Sequence, residues 1–267
     1  MEVETEPLER NKKGAVPVPG AIVPHLDECA LLFDVDGTLI DLASTPSAIV
    51  IPPELPSLLE ELWRRTSGAL ALVSGRTISD IDQITKPVKL PAVGGHGAEM
   101  RLQLDRGVQA ADVLPMDPHL KRRFAAIAQA KPSILVEDKG YSMALHYRLA
   151  PEAERYIYDS VAAIRADLPE APIEVLAGKF VVEIKHEGFS KATAVRTLMA
   201  QPPFAGRYPI FLGDDVTDES VFGIMPDIHG AGYSVGRVVQ GTAGHFDSPS
   251  DVRAWIARMI KEQPTRR

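Results

Sequence analysis

Three apolar runs constrain this chain more than any other feature. CALLFD (29–34), ALALVSG (69–75) and YPIFLGDD (208–215) are short hydrophobic stretches that give way to polar residues or glycine at the carboxyl end. A strand that is apolar at every position, rather than at every second one, is covered on both faces. Between the first two runs lies LPSLLEELWRR (55–65), whose Leu55, Leu58, Leu59 and Leu62 share one face of a helix. Buried runs separated by amphipathic helices predict an α/β fold with a parallel sheet. Ligands of such sheets bind beyond the carboxyl ends of the strands. Asp34, Ser74 and Asp214 all fall there.

The middle of the chain has a different period. Helical spacing (Leu120, Phe124, Ile127, Ala128) marks a helix over 118–130, and a second runs from Pro151 to about Leu168. Each precedes two strands of alternating character, SILVEDK and YSMALHYR, then PIEVLA and KFVVEIKH. The fold expected is therefore a Rossmann-like parallel-sheet core (26–112 and 187–267) carrying an inserted α/β domain (113–186) of antiparallel sheet plus two helices. Residues 1–25, with mixed charge, proline and glycine, are expected to be a flexible lead-in. Within the insert, Val136, Met143, Leu145, Tyr147, Phe180, Val182 and Ile184 share one parity and are expected to pack on the two helices. Glu137, Lys139, His146, Arg148, Lys179 and Glu183 take the other, which forms either a solvated face or a polar roof over a site in the core.

Charge narrows the partners. The formal net charge of −7 disfavours nucleic acid. No stretch holds the roughly 18 to 20 apolar residues of a membrane span. The one cysteine, Cys29, opens a buried run and reads as a structural thiol. The polar first residues lack the basic-then-apolar order of a secretory signal, so a cytoplasmic protein is expected.

Asp34-Val35-Asp36-Gly37-Thr38 follows the first strand directly. Two carboxylates two residues apart in extended chain point the same way. One can serve as nucleophile and the other as proton carrier with a cation between them, although an Asx-type turn also favours Asp-Gly. Gly213-Asp214-Asp215-Val216-Thr217-Asp218-Glu219 concentrates acids that repel one another unless a cation such as Mg²⁺ offsets them. A helix N-terminus also favours acids, and Asp215, Asp218 and Glu219 suit that role while Asp214 is the better ligand. Ser74-Gly75-Arg76 can offer a hydroxyl and an N–H to phosphate, and Lys191, at the start of a helix, can neutralise its charge.

In chain order and spacing these four pieces resemble the haloacid dehalogenase superfamily over residues 29 to about 260. The resemblance implies Asp34 as nucleophile, Asp36 as general acid then base, and Ser74 and Lys191 as phosphate holders. It also implies Mg²⁺ bound by Asp34, the Asp36 carbonyl and Asp214, with the insert as a cap. Gly94-Gly95-His96-Gly97-Ala98-Glu99, VEDKGYSMALHYR and GKFVVEIK are similar to the trehalose-6-phosphate phosphatase family. That likeness implies a disaccharide site lined by Gly95, His96, Gly97, Glu137, Lys139, Lys179 and Glu183. Arg76 and His146 join them as expected substrate contacts.

The chain departs from that family in having Val35 where tyrosine is frequent, Phe189-Ser190 before Lys191, and Ala192 after it. Sugar-acid phosphatases of the same superfamily (glucosyl- or mannosyl-3-phosphoglycerate), sugar phosphomutases and a catalytically silent sugar-phosphate sensor therefore stay open. The intact Asp34, Asp36, Lys191 and Asp214 argue against the sensor. Nothing in the pattern demands more than a monomer.

Overall fold

The structure is a computed structural model that describes residues 24–43, 48–110 and 115–263. The expected lead-in lies outside the described residues except for its last two. In chain order the elements are β1 (Cys29–Phe33), α1 (Leu55–Arg65), β2 (Leu70–Val73), α2 (Ile78–Thr85), β3 (Ala92–Gly94), β4 (Glu99–Arg101) and β5 (Gln109–Ala110). Then come α3 (Pro118–Gln129), β6 (Leu135–Asp138), β7 (Ser142–His146), α4 (Glu154–Asp167), β8 (Ile173–Gly178) and β9 (Val181–His186). The chain returns through α5 (Lys191–Met199), β10 (Tyr208–Gly213), α6 (Val216–Ile224), β11 (Ala231–Val235), β12 (Gly244–Phe246) and α7 (Pro249–Glu262).

Among the described residues, one eight-stranded sheet has the order β12-β11-β10-β1-β2-β3-β4-β5. Its pairings are parallel from β12 to β3 and antiparallel from β3 to β5. The apolar runs have the cause inferred from them. Cys29, Leu31 and Phe33 of β1 face a core built with α1, α2 and α7, whereas Ala30 and Leu32 face a second core with α5 and α6. In α1, Leu55, Leu59 and Leu62 are fully buried, each worth about 1.5–3 kcal/mol of transfer free energy. Burial, reinforced by Glu28, pushes the Cys29 thiol up to about 12, as suits an inert core residue.

The inserted segment forms a separate antiparallel sheet, β6-β7-β9-β8, with its own apolar core against α3 and α4. Met143, Leu145, Tyr147, Val182 and Ile184 lie in that core. Two members of the expected apolar parity do not. Val136 pairs with Leu145 on the correct face, but β6 is an edge strand and leaves it exposed. Phe180 sits in the two-residue turn between β8 and β9 at φ 64°, where strand alternation no longer applies. No helix among the described residues is long and apolar enough to cross a membrane.

Candidate active site

The carboxyl ends of β1, β2 and β10 meet beneath the inserted sheet, and their first polar residues line one cleft of about 200 Å³. After β1 the Asp34 N–H still donates to Leu212 of β10 at 2.9 Å, so Asp34 leaves the sheet in strand register. The chain then turns back at Gly37, φ 77°, where a Cβ would stand 2.0 Å from an Asp214 carboxylate oxygen. Only glycine allows this turn to lie against Asp214. Ser74 extends β2, donating its N–H to Val93, and its hydroxyl accepts from the Arg76 N–H.

Lys191 reaches the cleft floor from the first turn of α5. Ser190 caps that helix, its hydroxyl accepting from the Thr193 N–H, while Thr193 accepts from the Ser190 N–H in return. The Lys191 ammonium then donates to Asp34 Oδ1 and to Asp218 Oδ1, both at 2.8 Å, with all three side chains buried. Burial opposes the charge on Lys191, but Asp218 and Asp34 outweigh it and hold its pKa above the ordinary lysine value.

The carboxylates are less well compensated. Burial raises the Asp34 pKa, Lys191 pulls it back, and the charges of Asp218 and Asp214 leave it well above normal. Burial and the charges of Asp218 and Asp215 push Asp214 up to about 7. Asp34, Asp214 and Asp218 each offer one oxygen within 4.8 Å of the others. Two buried acids and the half-buried Asp214 beside one ammonium, with oxygen donors only, fit a hard cation.

Asp218 belongs to the acids for which a helix N-terminus was the alternative to a cation site. It does cap, accepting from the Asp215 N–H with one oxygen, but the other oxygen holds Lys191. Its place in a run of acids was visible; its partner, 27 residues away, was not.

Other expected site residues are gathered with different partners. Asp36 is gripped by a guanidinium fork, Arg76 Nε to Oδ2 at 2.5 Å and Nη2 to Oδ1 at 2.7 Å. Glu183 accepts from Ser142 at 2.6 Å and Lys139 at 3.1 Å, and His96 Nε2 lies 2.9 Å away. Lys139 also donates to the Gly75 carbonyl at 3.0 Å, so this buried cluster ties the inserted sheet to the core. The Glu137 and Lys139 of the first motif thus part company, for Glu137 lies 2.9 Å from His146 Nε2. Lys179 sits in the β8–β9 turn rather than beside Glu183, and its carbonyl accepts from Arg148.

Gly95 and Gly97 shape the turn that carries His96 and do not line the cleft; a Cβ on Gly97 would stand 2.5 Å from the Ser190 carbonyl. Leu42, Ile49, Phe180 and Thr217 do line it and were not singled out for the site, because nothing local marks them.

The chain has known relatives. A model of the trehalose-phosphatase family matches residues 32–249. A probable trehalose-phosphate phosphatase of Sinorhizobium fredii is 40% identical over 243 residues, covering 90% of both chains. The trehalose-6-phosphate phosphatase of Escherichia coli K12 is 36% identical over 229 residues, 85% of each. Among solved structures, the C-terminal domain of the Candida albicans trehalose-6-phosphate phosphatase superposes with a TM-score of 0.78 at 20% identity. That match covers 88% of this chain and 92% of the other and speaks for the fold. Strand-end acids, an inserted antiparallel sheet and sequence similarity along most of the chain converge on one conclusion: the chain belongs to the trehalose-phosphatase family.

Proposed function

We infer that this chain hydrolyses trehalose 6-phosphate to trehalose and phosphate, with Asp34 as the nucleophile. The observation that carries the reading is the buried Asp34–Lys191–Asp218 cluster beside Asp214, at strand ends and under a polar roof, in a member of this family.

An Asp34 oxygen attacks phosphorus, and the bond to the sugar oxygen breaks. Asp36 donates the proton that makes this oxygen a hydroxyl, and Asp34 carries an acyl phosphate. Asp36 then takes a proton from a water that attacks the same phosphorus, which releases phosphate and restores Asp34. The Arg76 guanidinium engages one lone pair on each Asp36 oxygen and so competes with the sugar oxygen and the water for this carboxyl group. An incoming phosphate, with Ser74 and Lys191 beside it, gives Arg76 an alternative anion and so frees Asp36 as substrate binds. Lys191 neutralises charge at the nucleophile as the phosphoryl group arrives.

Asp34, Asp214 and Asp218, together with the Asp36 carbonyl implied by the family, would hold Mg²⁺. Bound there, it would offset the repulsion between carboxylate and phosphate. Residues 113–186 act as a cap in this reading, with 26–112 and 187–267 as the core. Glu137, Lys139, His146, Lys179 and Glu183 then supply donors and acceptors to sugar hydroxyls, and His96 meets them from the core. A cytoplasmic location and a small sugar phosphate as the partner belong to the same reading; the free thiol of Cys29 suits a reducing compartment, and the net charge of −7 disfavours nucleic acid as the partner.

The test is phosphate release with Mg²⁺ across a panel holding trehalose 6-phosphate, glucose 6-phosphate and glucosyl-3-phosphoglycerate, for wild type and Asp34→Asn. The expected result is a strong preference for trehalose 6-phosphate, abolished by Asp34→Asn. Equal turnover of all three esters refutes the substrate, and an active Asp34→Asn refutes the nucleophile.

A further inference from the structure

Phe180 is an aromatic residue of the cleft that neither the phosphate chemistry nor the hydrogen-bonding roof employs. It occupies the second position of the Lys179–Phe180 turn, since Gly178 and Val181 on either side pair as the last rung of β8 and β9. Its φ of 64° lies in the left-handed region, the normal place of glycine and an uncomfortable one for a bulky side chain. Strain of this kind persists where the surrounding structure over-determines it, and it concentrates at binding sites.

The ring does not offset this by burial, because Phe180 remains 37% exposed. It is nonetheless held in place. Its carbonyl accepts from the Tyr147 N–H at 2.9 Å, and its ring meets Tyr147 edge-on with centroids 6.0 Å apart. The Arg148 guanidinium lies over the ring, 5.2 Å from the centroid, and Phe180 lines the cleft. The turn therefore presents a fixed, half-open aromatic surface on the wall of a cleft whose other cap residues, Val181 apart, are polar or charged.

A pyranose has two kinds of surface. Its hydroxyl edge suits carboxylates and ammonium groups, whereas its C–H face is apolar and weakly positive and suits the negative face of an aromatic ring. The phosphate end of the substrate belongs with Asp34 and Lys191 in the core, and Phe180 stands on the cap. We propose that Phe180 is the platform for the sugar ring remote from the phosphate, and so helps select a disaccharide phosphate over a monosaccharide phosphate. This proposal rests on the functional reading above.

Phe180→Gly removes the ring and relieves the backbone, so a loss of binding is separable from a loss of fold; Phe180→Trp keeps an aromatic face. For Phe180→Gly the expectation is a KM for trehalose 6-phosphate raised about tenfold, kcat within about threefold, and a Tm no more than a few degrees below wild type. The Ki of glucose 6-phosphate, which has only the phosphate-bearing ring, should stay unchanged, and Phe180→Trp should keep the wild-type KM within about threefold. An unchanged KM in Phe180→Gly, an equal weakening of both ligands, or a Phe180→Trp as impaired as Phe180→Gly overturns the proposal. Failure of the wild type to act on trehalose 6-phosphate overturns the functional reading, and this proposal with it.

Discussion

Replacing Glu183 by leucine removes the carboxylate on which the inserted sheet and the core meet. The native side chain is buried and accepts from Ser142 and Lys139, with His96 Nε2 at 2.9 Å. Glu183→Leu leaves the Lys139 ammonium without its acid and the Ser142 hydroxyl without this acceptor. Removing one partner of a buried ion pair costs about 3–5 kcal/mol, and a stranded hydroxyl about 1–3 kcal/mol. These costs overlap, and about 4 kcal/mol in total is a reasonable expectation. In a chain of this size each kcal/mol moves Tm by about 2–4 °C, so the midpoint should fall by roughly 8–16 °C at pH 7.

Thermal denaturation followed by circular dichroism measures that shift. The double variant Glu183→Leu/Lys139→Met should recover much of it, because both charges then leave together. The pH dependence has a definite sign. Burial alone would raise the Glu183 pKa, but His96 and Lys139 outweigh it and hold the carboxyl well below its ordinary 4.5. The folded state therefore binds this proton less readily than the unfolded chain does. The stabilisation is complete above about pH 4.5 and is lost as pH falls through the lower, folded value. The gap between wild type and Glu183→Leu should narrow on acidification below that point. A Tm within about 2 °C of wild type at pH 7, strict additivity in the double variant, or a gap independent of pH would refute the reasoning.

Three further outcomes are expected. Lys191→Met leaves Asp34 and Asp218 facing each other without their shared ammonium, and phosphate-release kinetics should show kcat reduced by at least about 100-fold. Dialysis against a chelator should abolish phosphate release without altering the far-ultraviolet dichroism, and added Mg²⁺ should restore it; activity that survives chelation would exclude a metal role for Asp34, Asp214 and Asp218. Gly37→Ala places a methyl 2.0 Å from an Asp214 oxygen at φ 77°, so the loop must shift. That variant should lose about 100-fold in kcat/KM, the usual consequence of displacing reacting groups by an ångström.

Much of the architecture and the neighbourhood of the site was legible along the chain. Hydrophobic period is a local property: CALLF, apolar at every position, states that both faces of its strand are covered, whereas SMALH alternates in polarity although four of its five residues are buried. The acids beyond β1 and β10 were legible for the same reason, since a residue following a buried parallel strand emerges at the ligand-binding edge whatever its partners are.

Which group meets which emerges only once the chain has folded. Lys191 finds Asp34 across 157 residues and His96 finds Glu183 across 87, and no pattern along the chain encodes those encounters. The Glu137 and Lys139 of one motif separate to His146 and Glu183 because each answers the charges that packing brings nearest. Asp218, one of several acids at a helix start, becomes a partner of Lys191 on the cleft floor once α5 delivers an ammonium to it. Phe180 leaves the apolar face because a two-residue turn ends the alternation that had placed it there. Burial follows from local pattern, whereas pairing in a low-dielectric cleft follows from distances that exist only after the chain has folded.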